Sequence, residues 1–386
     1  MTTSLRCWCG NSILEPFSAD YLRCGACKTL VVARMPAPEA LKVSGDEEGI
    51  YGRDYWFRHQ KNDLGYPDLE ERARLDLPER CLHWLKTLLC AKLPPARVLE
   101  IGCAHGGFVA LMQAAGFDAV GLELSPFVVR FAQETFRVSV LRGPVEDQHF
   151  LPASFDAIVM SDVLEHLPDP VGTLTRCAAL LKDDGVLVVQ TPLYKGEASI
   201  EELLNRNDRF VEHLHPVKGH LFLFSQVSVR RVLNAAGLGS TRFEQALFDY
   251  DQYLLAARSV PDSIPAEQAD EALGKSPSGR LVRALLDKER ALHSLVSRLQ
   301  ACEEDRAARL AVIESQGARI GDLTGQLQAC EDDRAARLTV IESQGGRIDT
   351  LVRLIESAYP RSHLGIAFRG EVKRIRRVLD EALSKD

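Results

Sequence analysis

The sequence predicts an α/β fold: a mainly parallel sheet of seven strands with helices on both faces, a small cysteine-rich head before it and a coiled coil after it. Three observations lead there. Apolar strand-like runs alternate with helical segments between residues 96 and 258, the pattern of a parallel sheet covered on both sides. Within it, Val98-Leu99-Glu100-Ile101-Gly102-Cys103-Ala104-His105-Gly106-Gly107 passes from a strand through a small-residue loop into a helix start. Near the C-terminus, residues 299–320 recur at 327–348, an offset of 28 residues or four heptads.

Six segments follow along the chain. Residues 1–40 form the head. Cys7-Trp8-Cys9 and Cys24-Gly25-Ala26-Cys27 are separated by fourteen residues, and two close pairs joined by a short loop can surround one zinc ion tetrahedrally. So short a segment buries little core unaided, which favours a structural metal held by Cys7, Cys9, Cys24 and Cys27. Residues 41–95 link head to core; Tyr51-Gly52-Arg53-Asp54-Tyr55-Trp56 is dense in aromatics, and 69–93 reads as a helix ended by Pro94-Pro95.

Residues 96–258 are the catalytic candidate. Strands are expected at 97–101, 118–123, 138–142, 155–161, 185–191, 241–247 and 252–257, and helices near 107–115, 126–135, 169–182 and 225–236. The last two strands are separated only by Phe248-Asp249-Tyr250-Asp251 and read as an antiparallel edge hairpin. Residues 259–280, rich in Pro, Ser, Gly and Ala, read as a linker.

Residues 281–357 read as a coiled coil. Leu299, Cys302, Arg306, Leu310, Ile313, Gly317, Ile320, Thr324 and Leu327 form a seam spaced by threes and fours. Each repeat unit adds about 42 Å of helix without changing heptad register. The seam implies a homo-oligomer or a partner protein; the alternative is one amphipathic helix folded back on the core. Residues 358–386 read as a basic helix, either solvated or touching a partner or a membrane surface.

Composition narrows the class. A chain of 386 residues suggests about two to three domains. A hydrophobic share of 46% allows a real core, and a net charge of −7 argues against nucleic acid as a general partner. No run reaches the ~18 apolar residues of a transmembrane segment, and Met1 to Cys7 shows no apolar signal region. The expected compartment is the cytoplasm, where the ten cysteines are metal ligands or buried thiols.

The loop after Glu100 brings backbone N–H groups close to a ligand. Twenty-three residues after Glu100, Asp118-Ala119-Val120-Gly121-Leu122-Glu123 ends in a carboxylate placed to hold both ribose hydroxyls of an adenosine-containing cofactor. Further on stand Phe155-Asp156-Ala157-Ile158-Val159-Met160-Ser161-Asp162-Val163-Leu164-Glu165-His166-Leu167-Pro168-Asp169-Pro170 and then Leu180 to Pro192.

In this order the motifs resemble the class I S-adenosylmethionine (SAM)-dependent methyltransferases over about residues 96–258. The resemblance implies a Rossmann-like seven-stranded sheet and SAM as cofactor. Glu100 would sit near the methionine amino end, Gly102, Ala104 and Gly106 would let the backbone approach, and Glu123 would hold the ribose. Leu124, Glu146 and Asp162 complete the implied cofactor set. The head, Tyr51 to Trp56 and Gly219 to Ser225 are similar to bacterial methyltransferases that act on sugars or surface glycans. Leu164 to Pro170 is also similar to ubiquinone-pathway O-methyltransferases, and the coiled coil to chain-terminating methyltransferases of O-antigen synthesis, without their kinase motif.

Two positions depart from the pattern. Ala104 replaces the usual middle glycine, which is tolerable if the backbone there is not left-handed. Pro144 stands where an acid often reads the adenine, leaving Glu146 or a backbone carbonyl for that contact. Methyl transfer rests on positioning, and a sugar hydroxyl also needs a general base. The candidates are His166, after the fourth strand, and His213, His215 and His220 in the segment 209–220. The expected function is O-methylation of a sugar in a nucleotide sugar or surface glycan. The alternatives are a small aromatic or quinone-type acceptor, and a catalytically inactive coiled-coil scaffold.

Overall fold

The computed structural model describes residues 5–43, 51–62, 65–196, 198–215, 218–358 and 363–383. Parts of the head, the linking segment, the segment 209–220 and the tail therefore lie outside the described residues. The chain divides into two compact units, Met1–His293 and Ser294–Asp386.

The first unit begins with β1 (Leu14–Pro16), β2 (Tyr21–Cys24) and β3 (Leu30–Val32). A wide helical turn at Tyr55–His59 runs into α1 (Gln60–Asn62), followed by α2 (Leu69–Asp76) and α3 (Leu82–Leu89). The helix expected over 69–93 is thus interrupted by a π-turn at Leu77–Cys81, because Pro78 has no N–H with which to continue the α ladder.

The core then alternates as expected: β4 (Arg97–Ile101), α4 (Gly107–Ala115), β5 (Asp118–Glu123), α5 (Pro126–Phe136), β6 (Val140–Arg142), β7 (Phe155–Ser161), α6 (Pro170–Leu180) and β8 (Leu181–Pro192). Next come α7 (Ile200–Asn205), β9 (Phe222–Leu223), α8 (Gln226–Ala235), β10 (Ser240–Glu244) and β11 (Asp251–Ala257). Among the described residues the main sheet has seven strands in the order β10-β11-β8-β7-β4-β5-β6, parallel except for the β10–β11 hairpin and its pairing to β8.

Strand alternation distributes the core over both faces. Val98, Ala157, Val159, Val186, Val188 and Leu255 pack on one side with α3 and α4. Leu99, Ile158, Met160, Leu187, Val189 and Leu254 pack on the other with α6 and α8. Cys81, Cys103 and Cys177 are core thiols as expected, whereas Cys90, at the exposed end of α3, is not.

The head is continuous with the core. β3 pairs antiparallel with β9, Leu30 opposite Leu223 and Val31 opposite Phe222, giving a second sheet in the order β1-β2-β3-β9. The fully buried Tyr21 donates its hydroxyl to the carbonyl of His220 at 2.9 Å. The segment expected to be a linker contains α9 (Ala266–Leu273), because Ala269, Ala272 and Leu273 fall on one helical face and bury against the core. α10 (Pro277–Ala358) starts on the same unit, where Val282 and Leu286 are buried and Glu289 pairs with Lys86 at 2.7 Å.

In the second unit α10 continues through both repeats, and Arg309 with Asp305 and Arg337 with Asp333 pair at 2.8 Å across one helical turn. Leu299, Leu310, Ile313, Ile320 and Leu327 of the seam are more than half exposed. α11 (His363–Leu383) follows, and its Arg376 meets Asp349 of α10 at 3.2 Å. No helix among the described residues is long and apolar enough to cross a membrane.

Tyr21→Phe leaves the His220 carbonyl without its donor in a closed environment. The expected loss is about 1–3 kcal/mol of stability by urea unfolding, with the fold retained.

Candidate active site

The loop after β4 is shaped by positive φ angles. Gly102 (φ +71°) and Cys103 both donate their N–H to the Leu122 carbonyl at 2.9 Å, and a Cβ on Gly102 would fall 2.5 Å from the Val163 side chain. Gly106 (φ +79°) starts α4, with no room for a Cβ against Ala132. Ala104 has φ +45°, so the condition under which its methyl would be tolerated freely is not met. Left-handed backbone costs an L-residue about 1 kcal/mol, and the Ala104 N–H offsets it by donating to Glu123 Oε2 at 3.1 Å. His105 is fixed as a neutral ring: Nδ1 accepts from Gly107 N–H at 3.1 Å, and Nε2 donates to Asp76 at 3.0 Å.

Glu123, buried at the end of β5, also accepts from the Leu124 and Ser125 N–H groups at 2.8 and 2.9 Å. Burial pushes its pKa up, and these three N–H groups oppose the shift. Glu100, buried on the neighbouring strand, has an Oε2 without a partner among the described residues. Burial and then the charge of Glu123 hold its pKa well above the carboxylate range. An orphaned carboxylate oxygen beside a glycine loop fits a cationic amino group. The three N–H bonds to Glu123 leave acceptor capacity for hydroxyls. The donor set therefore fits SAM. Glu146 lies on an exposed turn after β6 and takes the hydroxyl of Thr173; no described contact joins it to Glu100 or Glu123.

The aromatic segment covers this loop. Trp56, Leu69 and Val128 form a cluster against which Tyr51, Tyr55, Phe127 and Ala104 pack. Trp56 Nε1 donates to the Tyr51 carbonyl at 3.1 Å. The Tyr51 ring packs edge-on to Tyr55 at 5.0 Å, and burial above all, then the charges around it, opposes ionisation of its phenol. The sequence places 51–56 in the link and in the resemblance to sugar-acting methyltransferases but gives it no site role; its density of aromatics was the available signal.

The second half lies at the ends of β7, β8 and β11. Asp162 (φ +55°) accepts from Gln190 Nε2 at 3.1 Å and Arg80 at 3.4 Å. The same Gln190 amide donates to Asp251 at 3.2 Å, and Trp84 Nε1 donates to Gln190 Oε1 at 2.8 Å. Burial and then Asp162 push Asp251 up to about 8. Glu165, also buried, accepts from the Thr191 hydroxyl at 2.9 Å. Glu165, Gln190 and Thr191 lie in motifs that the sequence displays but that gave them no site role, and Asp251 and Arg80 lie outside any short-range motif.

Three of the four histidine candidates converge. The His166 and His220 ring centroids are 4.9 Å apart, and those of His213 and His220 5.5 Å. Tyr250, on which Arg209 stacks at 4.6 Å, lies 5.4 Å from His213. Burial lowers the pKa of all three, that of His213 to about 4, so each ring is neutral at physiological pH. His215 is exposed, at the end of the turn Arg209–Leu214.

In the head, the Cys7 and Cys27 sulfurs are 3.5 Å apart, those of Cys9 and Cys24 3.7 Å, and all four lie within 4.8 Å of one another. Four thiolates about 2.3 Å from a tetrahedral zinc stand about 3.8 Å apart, so the donor set fits that ion. The hydrogen bond from Cys7, helped by Thr29, holds the Cys27 thiol down at about 5.

Residues 73–240 match the profile of a family described as a methyltransferase domain. This part of the chain thus carries a methyltransferase domain. The chain is 34% identical over 131 residues to the ubiquinone biosynthesis O-methyltransferase of Xanthomonas campestris pv. campestris (strain B100), covering 30% of this chain and 54% of that protein. It is 31% identical over 129 residues to the protein of the same name from Xylella fastidiosa (strain 9a5c), covering 30% and 51%. The chain thus spans about half the length of the curated relatives it matches. Among solved structures, the methyltransferase domain is similar to magnesium protoporphyrin IX methyltransferase from Synechocystis PCC 6803, solved with bound SAH. That match has a TM-score of 0.38 and 18% identity, over 54% of this chain and 98% of the other. A SAM-dependent methyltransferase from Archaeoglobus fulgidus matches with a TM-score of 0.40 and 16% identity, over 53% and 99%.

Asp251 gives a pH prediction. Its raised pKa means its contribution to stability is fully present below about 3.9, the unfolded value, and is lost as pH rises through about 8. Asp251→Asn, which stays neutral, is expected to match the wild type at pH 4 and exceed it by a few kcal/mol at pH 8, read by urea unfolding at both.

Proposed function

We propose that this protein transfers the methyl group of SAM to a sugar hydroxyl, on a nucleotide sugar, a lipid carrier or a growing surface glycan. The observation that carries the reading is the polar wall built by His166, His213, His220, Glu165, Asp162 and Asp251 beside the cofactor loop. A wall of this kind suits a polyhydroxy acceptor better than an apolar ring. SAM supplies a methyl already activated on a sulfonium. The chain's part is to hold the cofactor's amino end at Glu100 and its ribose at Glu123, exclude water with Tyr51 and Tyr55, and orient the acceptor hydroxyl in line. His213 takes the hydroxyl proton, since its Nδ1 is buried without a partner among the described residues.

A second reading, methylation of a small phenol or quinone precursor, draws support from the names of the curated relatives. Phe248 and Tyr250 also favour it, with parallel rings 5.2 Å apart and Tyr250 beside His213.

Two further assignments accompany the reading. Cys7, Cys9, Cys24 and Cys27 hold a structural zinc, as expected of thiols kept reduced in the cytoplasm. The exposed seam of α10 pairs with the same seam of a second copy, because a lone helix gains nothing from aligned Leu and Ile in water.

S-adenosylhomocysteine titrated calorimetrically into the full chain is expected to bind, and Glu123→Ala to weaken binding at least tenfold, about 1.4 kcal/mol. No binding by a folded wild type overturns the enzymatic reading in favour of a scaffold. Methylation of phenols but not of nucleotide sugars or glycan lipids selects the second reading. Deleting 299–326 should lower the oligomer mass in analytical ultracentrifugation relative to the intact chain; a monomer in both cases overturns the pairing.

A further inference from the structure

The acceptor wall holds a set of donors that proton transfer alone does not explain. Glu165, His166 and His220 each place a ligand-type atom within 4.8 Å of the other two. Glu165 and His220 are buried, and His166 is half-buried. They come from two distant stretches: the turn Leu164–His166 after β7, and the approach to β9, two residues before Phe222. The Glu165 carbonyl accepts the Leu221 N–H at 2.8 Å, which locks the two stretches together.

Both imidazoles are held in one tautomer. His166 Nδ1 meets the Gly219 carbonyl at 3.0 Å, and His220 Nδ1 meets the His213 carbonyl at 2.9 Å. A carbonyl only accepts, so each Nδ1 carries the proton and each Nε2 keeps its lone pair. A ring anchored through one N–H to a backbone carbonyl is how metal-ligating histidines are held. Glu165 is oriented in the same way, by the Thr191 hydroxyl on one of its oxygens. Two imidazole nitrogens and one carboxylate make a three-point set that leaves positions open for water or substrate oxygen.

We propose that Glu165, His166 and His220 bind a divalent cation of nitrogen and oxygen preference, and that the acceptor hydroxyl completes its coordination. The inference rests on the O-methylation reading and deepens it. The bound hydroxyl loses its O–H proton to His213, the histidine of the cluster left out of the ligand set. The oxygen then forms the new O–CH3 bond as the C–S bond breaks, and its electron pair returns to sulfur, leaving a neutral thioether. The cation's share is to stabilise the alkoxide, as metal ions do for bound oxygens. Adjacent sugar hydroxyls and catechol oxygens can both chelate such an ion, so the site accommodates either acceptor class.

The cysteine site calls for a probe that ignores thiolates. Mn2+ favours oxygen and nitrogen donors and binds more weakly than zinc, so it leaves a zinc-loaded head intact. Mn2+ is titrated into the full chain carrying a single equivalent of zinc, which the four thiolates take up ahead of nitrogen and oxygen donors, and its free ion is followed by electron paramagnetic resonance. One saturable Mn2+ per chain is expected, weakened at least tenfold in Glu165→Gln and in His166→Gln. Near-UV circular dichroism checks that each variant is folded; should buried Glu165→Gln unfold, half-buried His166→Gln carries the test. No saturable Mn2+ in the wild type, or binding unchanged in the folded variants, overturns the cation site. S-adenosylhomocysteine titrated into the same samples separates the two ideas. Mn2+ binding lost with the variants but no S-adenosylhomocysteine binding would support the cation site and overturn only methyl transfer.

Discussion

Glu100, Glu123, Glu165 and Asp251 are all buried at one end of the main sheet, and a carboxyl out of water has to be neutralised or paired. Much of the architecture around that end answers this demand. Glu123 is met by three backbone N–H groups, and in accepting them it fixes the glycine loop, the end of β5 and the start of α5 together. Asp251 shares the Gln190 amide with Asp162, and Glu165 leans on Thr191. Glu100 keeps a fully buried oxygen, Oε2, with no partner among the described residues, where a cationic cofactor group is expected.

The cysteine-rich head enters the same arrangement from the far side. β2 carries both Cys24, a member of the sulfur cluster, and Tyr21, whose hydroxyl holds the carbonyl of His220. β3 pairs with β9, which begins two residues after that histidine. A metal that stiffens the sulfur cluster therefore stiffens the backbone of a residue in the acceptor wall. This gives a short head a physical reason to be attached to a catalytic domain.

The second unit follows different rules. Its long helix is held by ion pairs one turn apart, and the Leu and Ile residues of its seam are more than half exposed. The glycines at 317, 321 and 325 lie inside the helix without any neighbour near their Cβ positions, so they lower helicity and relieve no crowding.

Local periodicity and short motifs determine most of the fold. Strands β4, β5 and β7 and helix α4 lie where alternation and the glycine loop put them, because burial on two faces leaves little freedom in register. The sulfur quartet, Glu100 and Glu123 are legible for the same reason: their spacing is set within one or two elements. What the tertiary structure alone decides is which distant residues meet. Ala104 is left-handed because Glu123 and the neighbouring glycines shape the loop around it, which its identity does not announce. α9 forms in a stretch of linker-like composition because the core offers a surface for Ala269 and Leu273. Of four histidines that look alike in sequence, His166, His213 and His220 converge and His215 is exposed. That selection, and the arrival of Glu165 and Asp251 beside them, depends on contacts across tens to hundreds of residues, which no local pattern encodes.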